Sequence, residues 1–232
     1  VKNSNGLTME SNYFLGYEVV SYFTDAISNT VAGNCVYSAV SNRYEHCGMA
    51  QNVIKGITAD TTAFVTFNKN EFVRCGGAGN SSYYAINFDF TENNLHNDFS
   101  RIKVSILRNN FYDCFRSVMI GRAVNTSQTG NMAQMPLKIK ANSFIQPTEG
   151  KWSKYFHSIR FSFLVDSTMK HNVSISDTQW DFAGNTFKSN FLDQEALSGE
   201  NTTNPAFNYV YYNVSYNGTS GYCFNLTANH FK

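Results

Sequence analysis

The eleven residues Val65 to Cys75, VTFNKNEFVRC, constrain this chain more than any other feature, because their pattern returns along its whole length. Asn12, Asn42, Asn70, Asn109, Asn142, Asn185 and Asn229 each have an aromatic residue two places later: Phe14, Tyr44, Phe72, Phe111, Phe144, Phe187 and Phe231. Five and three places before each Asn stand the pairs Leu7/Met9, Tyr37/Ala39, Val65/Phe67, Val104/Ile106, Leu137/Ile139, Trp180/Phe182 and Phe224/Leu226. Seven matches at four positions define an internal repeat, and a repeat is read before anything else.

Between the paired apolar positions sit Thr8, Ser38, Thr66, Ser105, Lys138, Asp181 and Asn225. This period of two predicts a short strand with one buried and one wet face. The Asn is expected to turn the chain, since Asn tolerates left-handed backbone angles and bonds nearby backbone groups. The aromatic then returns to the interior. A second apolar segment follows in several repeats: Tyr84–Phe90, Ser117–Ile120, Ser158–Phe163 and Tyr209–Val214. The predicted unit is therefore strand, Asn corner, aromatic, strand, loop. Successive Asn residues are 30, 28, 39, 33, 43 and 44 positions apart. A unit this small has no interior of its own, so the units must stack. At about 4.8 Å between strands, seven of them make a rod roughly 30–35 Å tall.

The units are expected at 1–23, 35–57, 64–90, 101–122, 137–165, 180–189 with the aromatic run 207–216, and 222–232. The phrases NRYEHC (42–47), NEFVRC (70–75), NNFYDC (109–114), NSF (142–144), NTF (185–187) and NHF (229–231) resemble the right-handed parallel β-helix of the pectate-lyase-like superfamily. The resemblance covers nearly the whole chain. It implies an all-β, right-handed single-stranded parallel β-helix of about seven coils with loop insertions. The spacings exceed the shortest coils of that superfamily, which implies an added loop on most coils. Residues 1–232 are expected to form one domain, a segment of a longer chain or a matured product, with a partner covering the ends as the alternative.

Charged residues are 15% of the chain, against a usual share of about 25%. Asn alone contributes 29 residues. That is a composition of turns and polar strands. The net charge of +1 gives no electrostatic footprint for nucleic acid, and no apolar run is long enough to insert in a bilayer. Cys47, Cys75 and Cys114 share one slot, five after the Asn, and are expected to form an interior ladder of thiols. No His or second Cys stands at ligand spacing, so neither a metal nor another cofactor is expected. Cys35 and Cys223 stay unassigned. Seven N-x-S/T triplets are close to the number this composition yields by accident. Gly76-Gly77-Ala78-Gly79 lacks a following Lys-Ser/Thr and is read as a turn.

The chemistry is sought on the wet flank. The position four after the Asn reads His46, Arg74, Asp113 and Gln146; the position one after it reads Arg43, Glu71, Asn110 and Ser143. Both rows are expected to face outward near one corner. Glu71, Asp89 and Asp113 are the candidate catalytic carboxylates, with His46, Arg74, Arg116 and Arg122 as candidate substrate contacts. Carboxylates on stacked strands fall at separations used by glycosidases, and arginines bind acidic or hydroxyl-rich sugars. The other reading is an exposed ladder of ion pairs that relieves like-charge contacts. Trp152 and Arg160, with Lys138, Lys140, Tyr155 and His157, make a second candidate patch. Its aromatics serve either as sugar platforms or as packing. Arg101-Ile-Lys103 resembles the RIK of polygalacturonases, but that family's paired-Asp and Gly-His-Gly motifs are absent, as is the Asp cluster of pectate lyases.

The resemblance implies a polysaccharide partner. Within it, the irregular coil lengths and Asn-rich, aromatic strands most resemble phage tailspikes. These are typically homotrimers that bind, and in catalytic members cleave, a host surface polysaccharide as glycoside hydrolases or polysaccharide lyases. The implied location is extracellular or on the virion of a phage tail, with a cell surface as the third setting. A secreted bacterial lyase or hydrolase and a non-catalytic β-helix adhesin are the alternatives.

Overall fold

A computed structural model describes residues 6–23, 35–47, 52–55, 62–76, 84–89, 101–114, 116–120, 135–145, 157–164, 180–188, 210–215, 226–227 and 230–231. The structure is all-β, and all its sheet pairings among these residues are parallel. The first sheet is built from β1 (Gly6–Glu10), β4 (Cys35–Val40), β7 (Ala63–Asn68), β10 (Ile102–Leu107), β13 (Leu137–Lys140), β16 (Trp180–Ala183) and β19 (Leu226–Thr227), in that order. The second runs through β2 (Tyr13–Leu15), β5 (Arg43–Glu45), β8 (Glu71–Val73), β11 (Asn110–Tyr112), β14 (Ser143–Ile145), β17 (Thr186–Lys188) and β20 (His230–Phe231). The third holds β3 (Ser21–Phe23), β6 (Asn52–Lys55), β9 (Ile86–Asp89), β12 (Arg116–Ile120), β15 (His157–Leu164) and β18 (Val210–Ser215). Each of the first six repeats gives one strand to each sheet in turn, the seventh gives described strands to the first two, and neighbours within a sheet come from successive repeats. This is the arrangement a parallel β-helix requires.

The expected unit had two strands; the structure has three. The residues around the aromatic form a strand of their own, only three residues long. Period-two alternation leaves no signature in so short a strand, because only its central residue points inward. The pattern is plain in β8 and β11, where Phe72 and Phe111 are buried between less buried neighbours. In the first sheet the expected alternation is direct: β7 buries Ala63, Val65 and Phe67, and β10 buries Ile102, Val104 and Ile106. The register stacks like on like, with Tyr37 beside Val65, and Val65 beside Val104.

Three ladders run up the interior. The aromatic rings of Phe14, Tyr44, Phe72, Phe111, Phe144 and Phe187 stack with centroids 5.2, 4.6, 4.7, 4.8 and 5.0 Å apart. That is the strand spacing imposed on the rings by the backbone. Cys47, Cys75 and Cys114 are buried free thiols. Each bonds carbonyls of its own and the preceding repeat, as Cys75 Sγ does with Val73 O at 3.2 Å and Tyr44 O at 3.4 Å. Burial pushes the Cys75 thiol well above its ordinary pKa; Cys47 is raised too, first by its contact with Cys75 and then by burial. The expected apolar thiol ladder is what the structure holds.

The third ladder is Asn12, Asn42, Asn70, Asn109, Asn142 and Asn185. The main-chain N–H and the Nδ2 of Asn70 both donate to Asn109 Oδ1 at 2.9 Å, and Asn109 Nδ2 donates back to Phe67 O at 2.9 Å. The same bonds recur between Asn42 and Asn70, between Asn109 and Asn142, and between Asn142 and Asn185. Asn229 lies outside the described residues, although β19 and β20 on either side of it continue both sheets.

The Asn does not itself take the left-handed backbone. That conformation falls on the residue before it: Ser11, Ser41, Lys69, Arg108 and Ala141 have φ between 54 and 56°, and Gly184 has 66°. The side chain of the Asn is committed inward to the ladder, so the exposed residue in front of it absorbs the turn. A second left-handed corner follows the short strand, at Gly16, His46, Arg74 and Asp113. Gly76 is different again. Its φ is 78°, and a Cβ there would lie 2.3 Å from Arg116 O, so only glycine admits the approach of β12.

Candidate functional site

The outer face of the second sheet carries most of the anticipated residues. A strand of three residues points its first and third side chains outward, and the left-handed corner that follows throws the next one out as well. Arg43, Glu45 and His46 therefore project from one repeat, Glu71 and Arg74 from the next, Tyr112 and Asp113 from the third. The backbone register places Arg43 beside Glu71, and Glu71 beside Asn110.

These side chains pair with one another. Arg43 Nη1 donates to Glu71 Oε2, and its Nη2 donates to Glu45 Oε2 at 3.0 Å. Tyr13 Oη donates to the same Glu45 oxygen at 3.1 Å. The Arg43 guanidinium, and after it the Tyr13 hydroxyl, hold the Glu45 carboxyl below its ordinary pKa. Glu71 and then Glu45 in turn favour the charged form of Arg43. One corner further on, Arg74 Nε donates to Asp113 Oδ2 at 3.0 Å. His46 stands exposed, its Nε2 4.0 Å from Glu45 Oε1.

Two tyrosines bracket this row: Tyr13, 57% exposed, and Tyr112, 46% exposed. Three strand intervals separate β2 from β11 along the sheet, about 14 Å. Sequence reasoning passed over Tyr13, Glu45 and Tyr112 as site residues. The signal was available: Tyr13 occupies the position one after the Asn, the same outward column as Arg43 and Glu71.

Glu71, Asp113, His46 and Arg74 are thus brought together at the second sheet and its corner. Asp89 is not with them. It ends β9 on the third sheet, in register with Lys55, and its side chain is outside the described residues. Arg116, expected on the surface beside the cluster, is only 1% exposed at the start of β12. A guanidinium that deep must be matched by partners inside the fold, so it does not face a ligand here. The whole outer side of β12 is covered: Ser117 and Met119 are buried along with the inward Val118 and Ile120. Arg160 lies in β15, also on the third sheet, between Met119 and Tyr211 in register. Its side chain, like Arg122, Trp152, Tyr155 and Gln146 as a whole, falls outside the described residues. Lys138 and Lys140 belong to the first sheet, so the second candidate patch draws on two different faces.

The outer face of the first sheet has another character. Between its inward residues stand Thr66, Ser105 and Lys138 in one column and Phe64 and Lys103 in the next. Lys103 Nζ rests 5.1 Å from the centroid of the half-buried Phe64 ring. Of the RIK sequence, Ile102 is a core residue and Lys103 points outward. Lys140 Nζ bonds Asp181 Oδ2 at 2.9 Å. Among the described residues, no group of three or more His, Cys, Asp or Glu is placed to hold a metal ion.

No protein-family model matches the chain, and no similar curated protein or solved structure is found.

Proposed function

We propose that this chain is a right-handed parallel β-helix of about seven coils, of the pectate-lyase-like kind, that binds an extended polysaccharide along the outer face of its second sheet. The observation that carries this reading is the row between Tyr13 and Tyr112. Exposed aromatic rings stack on sugar faces, and the paired Arg43, Glu45 and Glu71 and Arg74 and Asp113 offer donors and acceptors to hydroxyls between them. A polymer lying along the stack meets equivalent positions every 4.8 Å or so.

Binding is favoured over cleavage by one detail. Glu71 and Asp113 each have a carboxylate oxygen engaged by an arginine, so these oxygens are already committed to a partner within the row rather than aimed at a glycosidic bond. The setting that suits the fold is a phage tailspike or a surface adhesin, working outside the cell as a homotrimer. A secreted lyase or hydrolase is the competing role.

The test is a panel of bacterial capsular and O-antigen polysaccharides, scored for binding, for new reducing ends and for ultraviolet absorbance of unsaturated products. Binding is expected, and Tyr13→Ala with Tyr112→Ala should weaken it at least tenfold. Cleavage lost in Glu71→Gln or Asp113→Asn would move the reading to an enzyme. Native mass measures the trimer. Silence across the panel, in both binding and product, removes the proposal.

A further inference from the structure

Most of the described cations on the first sheet are arranged in a way that pairing does not explain. On the three adjacent strands β7, β10 and β13 and the corner that follows them, Lys69, Lys103, Arg108, Lys138 and Lys140 all point outward. Lys69 and Arg108 are next to each other on stacked strands: Lys69 N–H donates to Leu107 O at 3.1 Å and Arg108 N–H to Lys140 O at 3.0 Å. The outward positions of these strands carry no carboxylate. The acids at the rim are taken: Glu71 by Arg43 and Asp181 by Lys140. Among the described residues, Lys69, Arg108 and Lys138 make no ion pair, although Asp181 stands in register beside Lys138, and Lys103 rests on the Phe64 ring.

Like charges side by side on neighbouring strands are destabilising. This chain has 18 Lys and Arg in 232 residues and a net charge of only +1. Lys69, Lys103, Arg108 and Lys138 gathered on one face, with Lys140 neutralised by Asp181, therefore make a local field that the total charge hides. Such a field attracts and holds a polyanion.

We infer that the outer face of the first sheet, through Lys69, Lys103, Arg108 and Lys138, binds an acidic polysaccharide bearing carboxylate or sulfate groups. The inference rests on the polysaccharide reading for the kind of polymer, but it uses a different face and different residues. The chemistry of the face selects a glycan over a nucleic acid. Thr66 and Ser105 place hydroxyls among the cations, where sugar hydroxyls and ring oxygens can bond. Phe64 is half-buried beneath Lys103, so bases find no open ring on which to stack.

The experiment measures binding of dextran, dextran sulfate, polygalacturonate and a random-sequence DNA duplex, each across a range of salt. The first two share a backbone and differ only in charge. Dextran sulfate or polygalacturonate is expected to bind with affinity that falls as salt rises, while dextran does not. Lys103→Gln/Arg108→Gln/Lys138→Gln should lower that affinity at least tenfold with an unchanged circular dichroism spectrum and melting temperature. Lys188→Gln, which removes an exposed cation of the second sheet, should leave it intact. Binding of DNA more tightly than either acidic glycan, no binding of any polyanion, or acidic-glycan binding indifferent to the glutamine variant overturns the inference. Binding of neutral glycans alone, lost in the tyrosine variant, overturns it while leaving the polysaccharide reading in place.

Discussion

Asn109 shows what one residue does in this fold. Its Oδ1 accepts two hydrogen bonds from Asn70, and its Nδ2 serves Phe67 O and Asn142 Oδ1. All of this is buried, so its partners cannot turn to water instead. An unmet buried polar group costs about 1–3 kcal/mol. Asn109→Ala removes the partner of the Asn70 N–H, of Phe67 O and of one of the two Asn70 Nδ2 bonds, the other staying with Ala39 O, and should lose about 3–4 kcal/mol by that measure. Asn12 is exposed at the first repeat, and Asn12→Ala should cost under about 1 kcal/mol, the range of a solvated bond. Urea unfolding of the two variants reads the difference directly; equal losses would mean the ladder is ornamental. The residue before each Asn makes the opposite prediction. Ala141 holds φ at 56° where the equivalent residue of the next repeat is Gly184, and it is exposed. Ala141→Gly should relieve the left-handed strain and raise stability by about 0.5–1 kcal/mol, visible as a higher melting temperature.

The elements respond to pH through their buried thiols. The Cys75 thiol is raised above its ordinary value of 9.0, chiefly by burial. A group of this kind stays neutral when folded but ionises when unfolded, so the unfolded state gains as pH rises. The thiol's contribution is fully present below about 9 and is lost progressively above it. Stability against urea should therefore fall between about pH 8.5 and 10, beyond the range of ordinary carboxylates and histidines. Cys75→Ser, whose hydroxyl does not titrate there, should flatten that slope whatever it does to stability at pH 7. A slope unchanged in the variant would assign the alkaline loss elsewhere. The same slot carries the register of the second corner, since Cys75 N–H donates to Cys114 Sγ at 3.4 Å.

The whole molecule is a stack in which each repeat leans on its neighbours, so protection should follow position in the stack. The outward-inward pattern of β1 is only half buried even on its inner side, and Phe14 is partly exposed, while β7 and β10 bury every inward residue. In amide hydrogen exchange, β7, β8, β10 and β11 should be the slowest to exchange and β1 and β2 markedly faster. Uniform protection would mean that the repeats unfold as a single unit and that end effects are absent. The three sheets also present three surfaces of different chemistry: cationic on the first, ion-paired and flanked by tyrosines on the second, and covered on the third where β12 is described.

Much of this was legible from residue order alone. The Asn, the aromatic two places on and the apolar pair before it are constrained by contacts with their own copies one strand away. Such positions must repeat, and repetition can be read without coordinates. The outward rows could be read for the same reason: His46, Arg74 and Asp113, and Arg43 and Glu71, share columns because the pattern shares a register. What the order of residues could not disclose was decided by neighbours from other repeats. A strand of three residues has no period to detect, so the second sheet emerged only when β2, β5, β8 and β11 lay side by side. The corner's left-handed residue was misassigned because the demand on the Asn side chain comes from the repeats above and below it. Arg116 and the pairing of Glu71 and Asp113 with arginines belong to the same class. Whether a charge is buried, neutralised or left facing water is set by side chains up to 41 residues away, and their distance in space is fixed only by the fold.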